Sequence, residues 1–217
     1  MNLLDRLHEG YVHGRRNRRL SEHLSELIPP GCNLLDVGCG DGQLARSLQQ
    51  KRPDLRIEGV EIQLRKQTWI PVTQFDGKSL PYGELCFDGV MLIDVLHHTP
   101  EPRRLLQEAL RVSRRWLILK DHILRGPWAG ARLRFMDYVA NARHAVALPY
   151  NYLSSEEWNE LRRVLDLQIA AEVKQLGLYP WPLDYVFGAK LQFLALLERV
   201  PTATATHPDI GSKSLGP

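Results

Sequence analysis

Cysteine is scarce. The 217 residues hold three, Cys32, Cys39 and Cys86, and none stands in CxxC spacing with another. An odd, scattered set argues against a disulfide framework and against a cysteine zinc site, so no metal is expected. Long apolar runs are scarce too. The longest cover residues 90–93, 116–119 and 193–197, far short of the roughly 18–20 residues a membrane helix needs, and an integral membrane protein is not expected. The opening Met1-Asn2-Leu3-Leu4-Asp5 lacks a basic stretch leading into an apolar one. No signal peptide is read there, and a reducing, cytoplasmic setting is the expectation. Neither charge sign dominates: 28 Lys and Arg against 25 Asp and Glu leave +3, which argues against a nucleic-acid partner.

What is present is an ordinary globular composition, 44% hydrophobic and 24% charged, enough for one buried core at this length. Charge is unevenly spread. Residues 97–144 carry ten Lys or Arg against four Asp or Glu, and Arg15-Arg16-Asn17-Arg18-Arg19 forms a second basic patch. Such runs are either solvated helix faces or attractors of an anionic substrate or surface, peripheral membrane contact included.

Short apolar runs alternate with helical patterns, the mark of a parallel sheet flanked by helices. A helix is read over residues 18–27, ended by Pro29-Pro30-Gly31. Strands follow at 33–37, 56–61, 70–74, 87–93 and 116–120, with helices to about residue 50 and over 103–112. The stretch 122–152 is long, basic and aromatic (Trp128, Phe135, Tyr138, Tyr150, Tyr152) and reads as a helical insertion or lid. Ser154 and Glu157 make a capping box for the next helix. Two strand-like runs, near 167–173 and 185–197, close the domain at about residue 200; the small, polar tail 201–217 reads as disordered.

The chemistry concentrates in Leu34-Leu35-Asp36-Val37-Gly38-Cys39-Gly40-Asp41-Gly42. Glycines at alternate positions between a strand and a helix allow a tight turn and close approach of a ligand to the backbone. Glu61 ends the next strand, nineteen residues beyond Gly42, where a carboxylate can accept hydrogen bonds from ribose hydroxyls. A nicotinamide dehydrogenase would place its third glycine one residue later, where Gln43 stands.

On these residues the sequence resembles the class I S-adenosylmethionine-dependent methyltransferases, in the branch that modifies small molecules and lipid-like quinone precursors. Four segments carry the resemblance: residues 34–42, Glu61, Gln74-Phe75-Asp76-Gly77 with Leu80-Pro81, and Phe87-Asp88-Gly89-Val90 leading to Asp94-Val95-Leu96-His97-His98. It implies a Rossmann-like three-layer α/β sandwich. Its seven-stranded, mostly parallel sheet would have one antiparallel edge strand, with the helical insertion after strand five. It also implies S-adenosyl-L-methionine as cofactor, held by Asp36, Gly38, Cys39, Gly40, Glu61, Ile62, Asp76, Gly77, Asp94 and Val95. Arg16 would reach the cofactor's carboxylate, with Tyr11 and Arg15 near it. Glu61 and Asp76 are only fifteen residues apart, so the intervening helix is a turn or two at most and the adenine side more open than usual.

Methyl transfer from a sulfonium is an in-line displacement, and the protein mainly aligns the reacting atoms. A base is needed only where the acceptor must lose a proton. Candidate catalytic residues are His98, His122 and Asp121, with His97 beside them. Each also has a plain structural reading: His97 and His98 as loop residues packed under the cofactor, Asp121 as a loop-starting residue. A small-molecule acceptor is the leading expectation. An RNA or protein acceptor and a non-catalytic cofactor-binding role are the alternatives.

Overall fold

The structure, a computed structural model, describes residues 14–141, 151–181, 184, 188 and 191–200. Tyr11, Tyr150 and the tail 201–217 lie outside the described residues, and of Tyr138 only the backbone is described.

Among the described residues, eight strands and five helices alternate in the pattern read from the apolar runs. Helix α1 (Gly14–Leu27) leads into β1 (Asn33–Val37), α2 (Gln43–Lys51) and β2 (Arg56–Glu61). Then come β3 (Val72–Gln74), β4 (Phe87–Ile93), a 3-10 turn (Leu96–His98), α3 (Pro102–Val112) and β5 (Ser113–Leu124). Helix α4 (Ala129–Asn141), β6 (Leu153–Ser154), α5 (Ser155–Val164), β7 (Leu167–Val173) and β8 (Gln192–Arg199) follow.

The sheet runs β3-β2-β1-β4-β5-β8-β7, with β6 attached to the far end of β5. All neighbours from β3 to β5 are parallel, whereas β8 runs antiparallel to both β5 and β7. The last strand is thus inserted between β5 and the edge, the topology implied by the resemblance. Buried on both faces, β1 and β4 read as nearly unbroken apolar runs, as parallel strands covered by helices must. One core joins the β1 and β4 side chains to α3 and Trp158 of α5; a second lies on the other face under α1 and α2. The capping box is present: Ser154 N donates to Glu157 Oε2 at 2.8 Å, and Glu157 N to Ser154 Oγ at 3.2 Å.

Two elements depart from the sequence reading. Residues 62–71 form no helix at all, and Ile62, Leu64 and Trp69 on this stretch are exposed. More consequential is β5, which runs to Leu124 rather than stopping at Lys120. Its partners explain the length: β4 pairs with it as far as Lys120, β8 as far as His122, and β6 at Ile123 and Leu124. Asp121 and His122, read as loop residues after the strand, are therefore held inside it. The insertion begins correspondingly later, at residue 125.

The order reverses direction at β1, whose two neighbours are reached by connections leading opposite ways. That crevice at the carboxyl ends of β1 and β4 is where open α/β sheets bind ligands. Gly89 in β4 keeps the sheet tight behind it, since a Cβ there would stand 2.1 Å from the Trp116 ring. Gly89→Ala is therefore expected to cost about 1–3 kcal/mol of overpacking, read as a lowered urea midpoint at unchanged slope.

Candidate functional site

The glycine turn follows directly from the strand–helix junction. Gly38, Gly40 and Gly42 take φ of 70°, 61° and 81°, a region that side-chain-bearing residues avoid. Gly38 and Gly42 also have no room for a side chain, because a Cβ would meet Val95 Cγ2 at 2.7 Å and Ile70 Cγ1 at 2.5 Å. Gly40 is different: among the described residues nothing lies within 4 Å of where its Cβ would stand. The turn thus presents bare backbone to open space at its middle glycine.

Glu61 reaches this point from the end of β2. Its Oε2 accepts from Gly40 N at 2.8 Å and its Oε1 from Ile62 N at 2.9 Å. Gln63 N reaches Oε1 as well, at 3.4 Å, and an ionised carboxylate has about four lone-pair sites, so capacity remains for a further donor. Asp36, buried in β1, lies behind it. Burial first, and then the Glu61 charge, push the Asp36 carboxyl up to about 7. Cys39 packs against Gly59, where a Cβ would stand 2.4 Å from its Sγ, and burial pushes its thiol well up. It is a small packing residue, not a nucleophile. Ile62 Cδ1 lies 2.9 Å from the position of a Gly77 Cβ, so these two residues meet at the rim. Asp76 is exposed and turned to its own loop, accepting from Lys78 N at 2.8 Å and Ser79 N at 2.7 Å; those amides lower its carboxyl.

A second group of charges gathers at the ends of β4 and β5. Ile93 pairs with Lys120 in register, which sets the turn at residues 94–98 beside Lys120, Asp121 and His122. Asp121 and His97 are both buried, and Asp121 Oδ1 lies 2.5 Å from His97 Nδ1. Asp121 also accepts from Leu96 N at 2.9 Å and His122 N at 2.7 Å. Burial would raise this carboxyl, but the His97 charge and the hydrogen bonds from His122 and His97 hold it well below the usual range. Tyr152 stacks on the His97 ring at a centroid distance of 5.6 Å, and His98 lies against it at 4.0 Å. Beside this pair, Asp94 accepts from Lys120 Nζ on Oδ1 at 2.5 Å and from Arg16 on Oδ2. Burial of Asp94 is again overridden, by Lys120 and then Arg16, which hold it well below the ordinary range.

The residues singled out in the sequence thus fall into two clusters joined through Gly38 and Val95. Asp36, Cys39, Gly40, Glu61 and Ile62 surround the glycine turn. Arg16, Asp94, Asp121 and His122 meet at the strand ends. The Asp121 carboxylate pairs with His97, and Arg16 lies on Asp94. Lys120 was not singled out; the available signal was a lysine ending an otherwise apolar strand, Trp116-Leu117-Ile118-Leu119-Lys120. Ligand atoms of Asp94, His97, Asp121 and His122 lie within 4.8 Å of one another. That set is not a cation cage, because the Lys120 and Arg16 cations already occupy both oxygens of Asp94.

Fold and site together define a Rossmann-like nucleotide-binding domain with an acid-lined glycine turn. A family model described as "Methyltransferase domain" matches residues 11–172, and the chain belongs to that family. It is 31% identical over 130 residues to an uncharacterized methyltransferase of Mycobacterium sp. (strain KMS), covering 56% of this chain and 51% of that protein. To 27-O-demethylrifamycin SV methyltransferase of Amycolatopsis mediterranei it is 27% identical over 131 residues, 51% of this chain and 48% of the relative. The chain spans about half the length of the curated relatives it matches. Among solved structures, an S-adenosylmethionine-dependent methyltransferase of Thermotoga maritima superposes with TM-score 0.64 at 19% identity, covering 88% of this chain and 93% of that one. Magnesium protoporphyrin IX methyltransferase of Synechocystis, solved with SAH bound, superposes with TM-score 0.57 at 16% identity, covering 87% and 84%. Among the described residues no helix is long and apolar enough to cross a membrane.

S-adenosylmethionine is the cofactor of this family, and the residues present fit it. The open space over Gly40 admits a ligand against the backbone, and Glu61 retains an acceptor site for a ribose hydroxyl. The raised Asp36 carboxyl gives a pH test of the turn. The folded chain holds the Asp36 proton more tightly than the unfolded chain, so ionisation opposes folding as pH rises from the ordinary aspartate range through about 7, and fully above it. Asp36→Asn removes that titration. Its melting temperature relative to the unsubstituted protein should therefore rise between pH 5 and pH 8.

Proposed function

We propose that the chain transfers the methyl group of S-adenosylmethionine to a hydroxyl of a small-molecule acceptor, with His97 as the proton acceptor. The observation that carries this reading is the buried His97–Asp121 pair at the carboxyl end of the sheet, next to the glycine turn. When bound, S-adenosylmethionine supplies an electrophilic methyl on a sulfonium. Amine acceptors that react as the free base need no proton acceptor in the displacement step, whereas a hydroxyl does.

Asp121 accepting from His97 Nδ1 fixes the imidazole tautomer and leaves Nε2 as the lone-pair nitrogen. The carboxylate also stabilises the imidazolium that forms when a hydroxyl proton arrives. Backbone amides of Leu96 and His122 hold Asp121 itself, so the pair is rigid before any ligand enters. Gly38, Gly40 and Glu61 orient the cofactor's nucleoside half, and orientation supplies much of the acceleration in such a displacement. Tyr152 over His97 walls the proton acceptor from solvent on one side. The similarity to 27-O-demethylrifamycin SV methyltransferase, by its name a methylator of an oxygen, supports a hydroxyl as acceptor, and so does the 31% identity over 111 residues to an O-methyltransferase of Pyrenophora dematioidea.

Calorimetric titration with S-adenosylmethionine is the first test. Gly40→Val places a branched side chain at φ +61° in the open cradle and should abolish binding, while Glu61→Ala should weaken it at least tenfold. In a labelled-methyl assay against a panel of phenols, alcohols and amines, His97→Gln should leave cofactor affinity unchanged and lower kcat by about 10²–10⁴-fold. Transfer to amines alone, or an unchanged kcat in His97→Gln, would overturn the hydroxyl reading.

A further inference from the structure

Lys120 has no part in the chemistry described so far, yet it is among the least accessible side chains of the protein, 1% exposed. A buried ammonium must have an anion, and Asp94 supplies it. Residue 120 holds Asp94 twice. Its carbonyl accepts the Asp94 amide at 2.8 Å, and its ammonium takes Oδ1 at 2.5 Å. Asp94 needs that hold: it stands at φ 57°, a left-handed conformation that a non-glycine residue adopts only when its surroundings impose it. The second oxygen of Asp94 carries Arg16, whose side chain is 23% exposed. One cation on Asp94 is thus buried and fixed, the other partly exposed and belonging to the N-terminal helix.

His122 lies on the same face of β5 as Lys120, two residues on. Its Nδ1 is 3.6 Å from the same Asp94 Oδ1 that Lys120 occupies. Lys120 and His122 therefore share one carboxylate oxygen, and Lys120 is nearer. Around His122 stand Lys120 and Asp121 of β5, Asp94 and His97 of the β4 turn, Tyr152 before β6, and Gln192 of β8 opposite in register; Arg16 of α1 lies beyond, on Asp94.

We propose that Lys120 is a positioning residue of the site: its ammonium fixes the Asp94 carboxylate in place for Arg16 and screens that carboxylate from the His122 ring. Without it, the Asp94 charge would face His122 directly and draw a proton onto the ring. Burial first, and then the Lys120 charge, lower His122 from its ordinary range, in keeping with this arrangement. The geometry assigns the fixed role to Lys120 and the exchangeable one to Arg16. The inference rests on the reading of this cluster as the reaction centre, but its test needs neither cofactor nor acceptor.

The experiment is a histidine-labelled NMR titration of the full chain in the ligand-free state, with His122 assigned by His122→Gln. In Lys120→Met the His122 ring should protonate about one pH unit or more higher than in the unsubstituted chain. Lys120→Arg, which keeps the charge, should restore the original titration. Arg16→Gln should move it by less than a third of the Lys120→Met shift. A folded Lys120→Met with His122 unmoved would overturn the proposal, as would an Arg16→Gln shift as large as that of Lys120→Met. If Lys120→Met fails to fold, removing the stranded anion in Lys120→Met/Asp94→Asn should restore folding. Arg16→Gln, at a partly exposed side chain, then decides: an upward shift of one unit or more would assign the screening to Arg16 and sink the role of Lys120. Because no methyl transfer enters the readout, an inactive protein with the expected titrations would overturn the proposed reaction and leave this inference standing.

Discussion

Charges buried at the ends of two parallel strands have to neutralise one another, and the site is organised around that requirement. Asp94, Lys120, Asp121, His97 and His122 crowd a space from which water is largely excluded, where an unpaired charge would cost several kcal/mol. The register between β4 and β5 provides the solution. Pairing Ile93 with Lys120 sets one acid opposite the lysine and lets the next residue of β5, Asp121, reach back to the turn at residues 96–97. Each carboxylate thereby has a cationic or hydrogen-bonding partner on a different element. The same contacts that neutralise the charge also fix α1, the β4 turn and β5 relative to one another. Stability and preorganisation come from one set of bonds.

The glycine turn obeys a different constraint. It must let a ligand touch backbone while the strand and helix on either side stay packed. Gly38 and Gly42 are demanded by Val95 and Ile70, which fill the space side chains would need. Around Gly40, by contrast, the described residues leave the space open. This division explains why the two ends of the turn belong to the core and the middle to the site. The acid pair behind it is less settled. Asp36 is buried close to Glu61, and that proximity raises its carboxyl.

Most of the scaffold could be read from the sequence because it rests on local rules. Continuous apolar strands, the alternating glycines, Pro29-Pro30-Gly31 and the Ser154–Glu157 box each signal their own conformation within a few residues. The charge cluster could be read only in part. Asp94, Asp121 and His122 stood out as polar residues beside apolar strands, but their partners depend on register, which no local pattern encodes. His97 and His98 are adjacent and chemically identical, and only the path of the 3-10 turn decides which of them meets Asp121. Lys120 looked like a strand end because the apolar run stops there. In fact β5 continues for four more residues, since β8 and β6 supply pairing beyond the edge of β4.

The extension of β5 also ties the insertion to the chemistry. Past His122 the strand contributes Ile123, whose amide donates to Leu191 at 2.9 Å. Leu191 belongs to a small apolar cluster with Ala129 and Leu133 of α4 and Tyr152. Tyr152 in turn stacks on His97 and stands edge-on to His122. The insertion helix is therefore tied to the buried imidazole through Tyr152, and to the sheet through Leu124 and the Ile123–Leu191 bond. A ligand that displaces α4 must disturb Tyr152, and Tyr152 cannot shift without changing the packing of the His97 ring. The glycine turn is held by β1 and β2, and it meets the charge cluster where Gly38 abuts Val95. The insertion helix and the His97–Asp121 pair are thus mechanically joined in this fold.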